Sequence, residues 1–164
     1  MRYSEANLGR VFVLRLEDGD RLPDTLERFA REQGIRAAAV FLLGGAETGG
    51  RVVVGPEDGA AARPVPMIER LSGASEALGV GTIFVNEDGV PKLHLHSAFG
   101  RHRETVTGCT REGVEIWRIG EVIILELTNT TAQRKINPQT GFELLEVGSS
   151  SGQGDERQAK GVNR

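Results

Sequence analysis

Two of the three histidines in this 164-residue chain, His94 and His96, are separated by a single residue. Around them, residues 92–96 alternate polar and apolar side chains, a pattern typical of a β-strand with one exposed face. In a strand the two imidazoles share that face, about 6–7 Å apart along the chain. Imidazole nitrogens are good ligands for zinc and other divalent metals at neutral pH. The pair is therefore a candidate metal site.

The only cysteine of the chain, Cys109, offers a third ligand from the next predicted strand. Residues 100–103 are polar, begin with glycine and predict a hairpin loop between two strands. A turn centred between Arg101 and His102 pairs His94 with Cys109, with their Cβ atoms about 5 Å apart on one face. His102 would then lie at the loop tip, about 20 Å from His94, and is not expected to be a ligand.

The same residues also have a purely structural interpretation. A lone buried cysteine usually packs as a small hydrophobic residue, and strand histidines can be half-buried polar groups without a ligand. A one-residue shift in register would move Cys109 to the other face of the sheet. If the metal site exists, two histidines and one cysteine leave one tetrahedral position free for a water or a substrate.

The composition is that of a globular protein of one-domain size. The 164 residues are 38% hydrophobic and 26% charged, which is enough to bury a full core. No apolar run approaches the length of a membrane span, and the N-terminal residues lack a hydrophobic signal core. A single cysteine forbids an intramolecular disulfide, so we expect a cytoplasmic protein with no membrane contact.

The net charge of the chain bears on nucleic-acid binding. A value of −3 argues against a protein that binds nucleic acid by neutralising phosphates. A local basic patch of Arg101, Arg103 and Arg111 leaves DNA binding open as an alternative.

Most of the predicted elements are strands. Apolar residues at helical spacing over residues 22–30 predict one helix, which ends at Gly34. The glycine-rich residues 44–50 precede a β-branched strand and not a helix, so they predict a turn rather than a phosphate-binding loop. Strands are predicted at residues 10–16, 35–43, 51–54, 66–71, 78–85, 92–99, 104–110, 114–119, 121–127 and 141–147.

Three further segments lack a regular pattern. Residues 55–64 predict a surface loop, and residues 129–140 are polar and irregular. Residues 148–164 have too little apolar surface to offset the entropy of ordering them, so we expect a disordered C-terminal tail.

The order of these segments resembles the PPC domain, the plant and prokaryote conserved domain, over roughly residues 8–147. The most specific element is the His-x-His strand with the glycine-containing strand that follows it. The matching segments are Leu16-Glu17-Asp18-Gly19-Asp20, Leu71-Ser72-Gly73, Leu93-His94-Leu95-His96, Thr107-Gly108-Cys109, Gly120-Glu121-Val122-Ile123-Ile124 and Gln139-Thr140-Gly141-Phe142.

The resemblance implies a stand-alone prokaryotic member with one α/β (α+β) domain over residues 1–147. Its sheet is expected to be mixed but mostly antiparallel, with one or two helices packed on it, and the protein to be a homotrimer. Some bacterial and archaeal members hold a metal with the two strand histidines and the histidine of a Gly-Gly-His segment. Here Cys109 replaces that third histidine, which is compatible with a retained zinc site or with its loss. The AT-hook core Arg-Gly-Arg-Pro, through which plant members bind DNA, does not occur in this sequence.

Two functional hypotheses follow. The first is a metal-binding homotrimer, with zinc or another divalent metal at His94, His96 and Cys109, whose free position binds a small ligand or catalyses a hydrolytic or lyase-type step. Glu121 is its candidate acid/base residue, or else a solvated strand-end residue. The second is a DNA-associated or regulatory scaffold without catalysis. Stoichiometric metal would favour the first hypothesis, and DNA affinity that falls steeply with salt would favour the second.

Overall fold

The computed structural model describes residues 1–148, which form eleven strands and one helix. The strands are β1 (Asn7–Glu17), β2 (Arg21–Leu22), β3 (Ala37–Ala46), β4 (Arg51–Pro56), β5 (Pro66–Arg70), β6 (Ser75–Val85), β7 (Pro91–Arg101), β8 (Glu104–Cys109), β9 (Val114–Thr128), β10 (Gln133–Ile136) and β11 (Glu143–Glu146). The helix is α1 (Asp24–Glu32).

Nine of these strands build one large sheet: eight follow the order β1-β9-β3-β6-β7-β8-β4-β5, and the ninth, β2, pairs with β9 beside this row. The remaining two strands, β10 and β11, form a separate hairpin. Every pairing among the described residues is antiparallel. The predicted predominance of antiparallel pairing is therefore confirmed, whereas the parallel pairs of the expected mixed sheet do not occur among residues 1–148.

The inner face of the sheet is covered by α1. Leu26 and Ala30 of the helix are fully buried against strand residues such as Val40, Leu95 and Ile124. The helix begins after Pro23, at a position where the missing N–H of proline costs no hydrogen bond. The chain leaves the helix through Gly34, whose φ of +67° suits glycine, as predicted for the helix end.

The outer face of the sheet carries apolar side chains that nothing in residues 1–148 covers. Val13, Ile123, Phe41 and Val80 lie side by side on four neighbouring strands, and each is more than 40% exposed. The same row continues into β7, where Val80 pairs with His96. The exposed histidine strand thus borders an apolar surface.

The β10–β11 hairpin forms an arm that packs on the large sheet. Ala132, just before β10, is buried with Ala37 and Phe84, and Val147 packs against the same cluster. This anchoring places the arm beside the start of β3 and the end of β6.

Several predictions made from the sequence need correction. The class is mainly β rather than α/β, because the nine residues of α1 are the only helical ones among residues 1–148. Residues 114–119 and 121–127 belong to one strand, in which Arg118 adopts φ +67° and its N–H donates to Asp18 at 2.6 Å. This local irregularity bends β9 without ending it.

Two segments expected to be irregular are partly regular. The glycine-rich turn is shorter than predicted, since residues 44–46 extend β3. Residues 133–136, expected to be irregular, pair with β11 because the arm folds back on itself. The predicted disordered tail lies, from residue 149 onward, outside the described residues. The one helix among residues 1–148 falls short of the length needed to cross a membrane.

We expect Leu26→Ala to lower the free energy of unfolding by about 3 kcal/mol, because the change leaves a cavity between α1 and the sheet. Ile136→Ala, at a side chain that is 60% exposed, should change it by less than about 0.5 kcal/mol. Urea denaturation of both variants provides the measurement. Equal effects would show that α1 is not the principal cover of the inner face.

Candidate metal centre

The β7–β8 hairpin positions the candidate ligands. His96 pairs directly with Cys109, and the ladder continues to Arg101 and Glu104, leaving His102 and Arg103 at the turn. The predicted pairing of His94 with Cys109 is therefore wrong by two residues, because the turn lies one residue later than expected. A two-residue offset keeps the same face of the sheet, so Cys109 still lies beside the histidine pair.

Close packing around Gly108 fixes the position of Cys109. A Cβ atom on Gly108 would lie 2.2 Å from the carbonyl oxygen of Val53, so only glycine allows β4 to approach here. Val53 also pairs with Cys109 in the ladder between β4 and β8. Beyond the cysteine, the N–H of Thr110 donates to the carbonyl oxygen of Leu95 at 3.0 Å. Cys109 is thus held from both sides.

The three candidate ligands converge on the outer face. Their donor atoms all lie within 4.8 Å of one another. The Nε2 atoms of His94 and His96 are 3.0 Å apart, with the rings at 80° to each other. The two histidines are exposed, whereas Cys109 is only 3% exposed.

This geometry suits a tetrahedral metal ion. Two imidazole nitrogens bound to one zinc at ordinary bond lengths lie about 3.3 Å from each other, close to the 3.0 Å observed between the Nε2 atoms. The thiol requires only a small side-chain movement to complete three ligands. The donor set of two nitrogens and one sulfur is one that zinc accepts.

The 3.0 Å contact between His94 and His96 also has an interpretation without metal. One neutral imidazole could donate its N–H to the bare nitrogen of the other, which is an ordinary hydrogen bond. A metal ion requires both nitrogens to be bare. The two arrangements are distinguished by metal analysis.

His94 has an unusual electrostatic environment. Its ring is open to solvent on one side but lies against protein on the other. Loss of hydration lowers the pKa of His94 to about 4, and the positive charges of Arg134, His96 and Arg111 act in the same direction. The ring is therefore neutral at physiological pH, as a metal ligand must be.

Two cavities meet at the three candidate ligands. The first, of about 340 Å³, is bordered by His96 and Cys109, and we call it the apolar cavity; its wall includes Val53, Val54, Pro56, Pro66 and Phe142. The second, of about 700 Å³, is bordered by His94 and Cys109, and we call it the charged cavity; its wall includes Asp24, Glu27, Lys92, Arg111, Arg134 and Glu143. Both volumes are in the range of small-molecule sites.

Arg134 of β10 is the residue that sequence reasoning missed. It was expected in an irregular polar segment, yet it is only 6% exposed and borders the charged cavity. Its Nη2 donates to the hydroxyl oxygen of Thr82 at 3.2 Å. No spacing in the sequence connects Arg134 with the histidine strand, since their contact depends on the folding of the β10–β11 arm.

Two other residues considered from the sequence lie away from the three ligands. Glu121 is exposed on β9, and β3 and β6 separate that strand from β7, a lateral distance of about 14 Å. His102 is at the hairpin turn with φ +55°, as predicted. Within one chain, neither residue joins the candidate centre.

Comparison with known proteins supports the resemblance seen in the sequence. The sequence model of the Plants and Prokaryotes Conserved (PCC) domain matches residues 3–128. No curated protein matches the chain. Among solved structures, a metal-containing protein from Archaeoglobus fulgidus is 28% identical with a TM-score of 0.74, and the match covers 88% of this chain and 98% of that one.

Two more distant structures share the fold. A plant- and prokaryote-conserved (PPC) protein from Pyrococcus horikoshii is 22% identical with a TM-score of 0.76, covering 89% of this chain and 97% of that one. A protein from Bacteroides thetaiotaomicron, provisionally named as DNA-binding, is 16% identical with a TM-score of 0.70, covering 87% and 97%. At these identities the similarity establishes the fold alone.

In metal-free protein, the ring signals of His94 should titrate by NMR with a midpoint near pH 4, below the ordinary histidine value. Because the pKa is lower in the folded than in the unfolded chain, this group favours folding above about pH 6.5. That contribution is lost as the pH falls through about 4. Removing a nearby positive charge with Arg134→Gln should raise the midpoint.

Arg103→Gln, at the exposed hairpin turn, is the charge-matched control for this titration and should leave the midpoint unchanged. An unshifted midpoint near 6.5 in the wild-type protein would contradict the described environment of His94.

Proposed function

The chain belongs to the Plants and Prokaryotes Conserved domain family, and from this premise we propose that it is a metal-binding protein with zinc as its metal. The ligands in this proposal are His94, His96 and Cys109. The observation that carries it is the convergence of their donor atoms within 4.8 Å on one face of the sheet. The metal-containing protein from Archaeoglobus fulgidus, at 28% identity, supports metal binding as such.

The environment of each of the three side chains suits it to bind zinc. The lowered pKa of His94 keeps its ring neutral. His96 lies on the same face of β7, with its Nε2 atom 3.0 Å from that of His94. Cys109 is buried at the junction of the two cavities, so its thiolate would gain from a cation beside it. If these three residues held a tetrahedral metal ion, one coordination position would stay free for a small ligand. Zinc in such a site lowers the pKa of a coordinated water toward about 7.

We further propose that the protein assembles as a homotrimer, as the family resemblance implies. The outer face supplies the contact surface, because exposed apolar rows of this extent usually mark a protein interface. Val13, Phe41 and Val80 lie at its centre. A second copy of the chain is the proposed occupant of this face.

A reducing compartment is part of the same proposal. Cys109 is a free cysteine, and it must remain reduced to bind metal. The cytoplasm provides this condition, so we place the protein there.

The alternative function, a DNA-associated scaffold, gains no specific support. The DNA-binding name of the relative from Bacteroides thetaiotaomicron belongs to a structure at 16% identity. Of the three arginines that could form a basic patch, Arg101 donates to the carbonyl oxygen of Ala74 at 2.7 Å, and Arg111 lies over the ring of Phe142. Salt-dependent binding to duplex DNA, measured by fluorescence anisotropy, would revive this alternative.

Elemental analysis should find about one zinc per chain in the wild-type protein supplied with zinc. His94→Ala and His96→Ala should each lose most of it to a chelator, because two protein ligands rarely retain zinc. Cys109→His should retain it, since it restores three ligands. The affinity of the wild-type protein for zinc should weaken as the pH falls, because protons compete with the metal for all three ligands.

Two variants serve as controls for metal binding. His102→Ala at the hairpin turn and Glu121→Gln on β9 should both retain full zinc. Loss of metal in His102→Ala together with full occupancy in Cys109→Ala would show that the third ligand is misassigned. Absence of metal from every preparation would refute the site.

Light scattering at micromolar concentration should return about three times the 17.7 kDa chain mass. Phe41→Glu should dissociate the assembly, because it places a charge at the centre of the apolar face. Val65→Glu, at an exposed side chain outside a strand, should leave the mass unchanged. A wild-type mass near that of one chain would rule out the trimer.

A further inference from the structure

The starting observation is an arginine that is buried without a full set of partners. Arg134 is 6% exposed, and its Nε has no hydrogen-bond partner among residues 1–148. Within that part of the chain, no carboxylate lies within 4 Å of its guanidinium. A buried guanidinium is unfavourable unless an anion or further acceptors approach it.

The position of Arg134 relates it to the candidate metal centre. Its guanidinium donates to Thr82, and Thr82 is the direct cross-strand partner of His94. Arg134, His94 and Cys109 all border the charged cavity. Arg134 is therefore a neighbour of the proposed ligands, in the cavity that His94 and Cys109 border.

The other charges of the cavity do not neutralise the arginines. Glu27 accepts from the N–H of Leu93 at 3.0 Å and lies 3.9 Å from Lys92. Asp24 is bound to Arg21 at 2.6 Å. Among the described residues bordering this cavity, Arg111 and Arg134 then face one remaining carboxylate, that of Glu143. These side chains leave one positive charge over, and a zinc ion bound to the thiolate of Cys109 would add to it, so the site would attract an anion.

The apolar cavity defines the rest of the ligand. Cys109, Arg111 and Phe142 border both cavities, so one molecule can extend from one cavity into the other. Val53, Val54 and Pro56 line the apolar cavity, whose volume is about 340 Å³. This volume is enough for a ring or a branched alkyl group.

From this arrangement we infer that the site binds a small organic carboxylate with an apolar body. Arg134, aided by Arg111, holds the carboxylate in the charged cavity, and the apolar cavity receives the body of the molecule. The planar guanidinium fork fits a carboxylate with two parallel hydrogen bonds. The inference rests on the proposed function, since it places the ligand at the free position of the metal centre.

The test uses phenylacetate as the probe and phenylacetamide, its neutral isostere, as the matched compound. Binding to the zinc-loaded full chain is measured by isothermal titration calorimetry, and zinc content is measured on each sample. Phenylacetate should bind at least tenfold more tightly than phenylacetamide. Arg134→Gln should reduce phenylacetate affinity at least tenfold while zinc stays near one per chain.

Further variants separate recognition from folding. Arg134→Lys keeps the charge but loses the fork, so it should bind phenylacetate with intermediate affinity. Arg111→Gln changes an exposed residue and should weaken binding severalfold, which gives a result even if Arg134→Gln does not fold. Arg103→Gln, at the hairpin turn, should bind as the wild-type protein does.

Several outcomes would overturn the inference. Equal affinity for phenylacetate and phenylacetamide, or unchanged affinity in both Arg134→Gln and Arg111→Gln, would show that these arginines do not recognise a carboxylate. Tighter binding of inorganic phosphate than of phenylacetate would show that the site selects phosphate rather than an organic carboxylate. Zinc-loaded protein that fails to bind phenylacetate refutes this inference alone, whereas protein that never takes up zinc refutes the proposed function.

Discussion

The candidate centre depends on how closely β8 approaches its two neighbours. Gly108 lets the backbone of β4 reach β8, where a side chain would collide with the carbonyl of Val53. Thr110 then ties the end of β8 to Leu95 of β7. Between these two contacts Cys109 has no freedom to leave the neighbourhood of His96. A side chain at position 108 would force β4 and β8 apart and so disturb the position of the thiol without changing a candidate ligand, so backbone packing sets the geometry of the centre.

The sheet has two different faces, and their difference explains where function can lie. α1 covers the inner face and excludes water from it, so only structural side chains fit there. The outer face remains open over β1, β9, β3, β6 and β7. Its centre is apolar and suits other copies of the chain, while its edge at β7 and β8 carries polar ligands. The proposed assembly and the proposed ligand binding would therefore occupy adjoining parts of one surface.

The sequence allowed part of this arrangement to be predicted because alternation and hairpin signals are local. Alternation placed His94 and His96 together, and the glycine-started loop joined their strand to the strand of Cys109. The predicted pairing was wrong by two residues, since a turn can form one residue later at little cost. Cys109 nevertheless lies on the predicted face of the sheet, because side chains in a strand alternate with a period of two. Arg134 and both cavities depend on contacts between distant segments, such as the β10–β11 arm against Thr82. No local pattern encodes such contacts.

The electrostatics of the site would link the proposed metal to the proposed anion. Arg134 and Arg111 oppose protonation of His94, and the same positive charges oppose a divalent cation beside it. On metal binding Cys109 would have to ionise, and the negative charge of its thiolate would offset this repulsion. An anion held between the arginines and the metal would offset it from the ligand side. Because coupling between two bound species is reciprocal, an anion that shields the metal from Arg134 must raise the affinity for metal as much as the metal raises the affinity for the anion. The positive charge of the buried Arg134 would thus couple the binding of the anion to the binding of the metal.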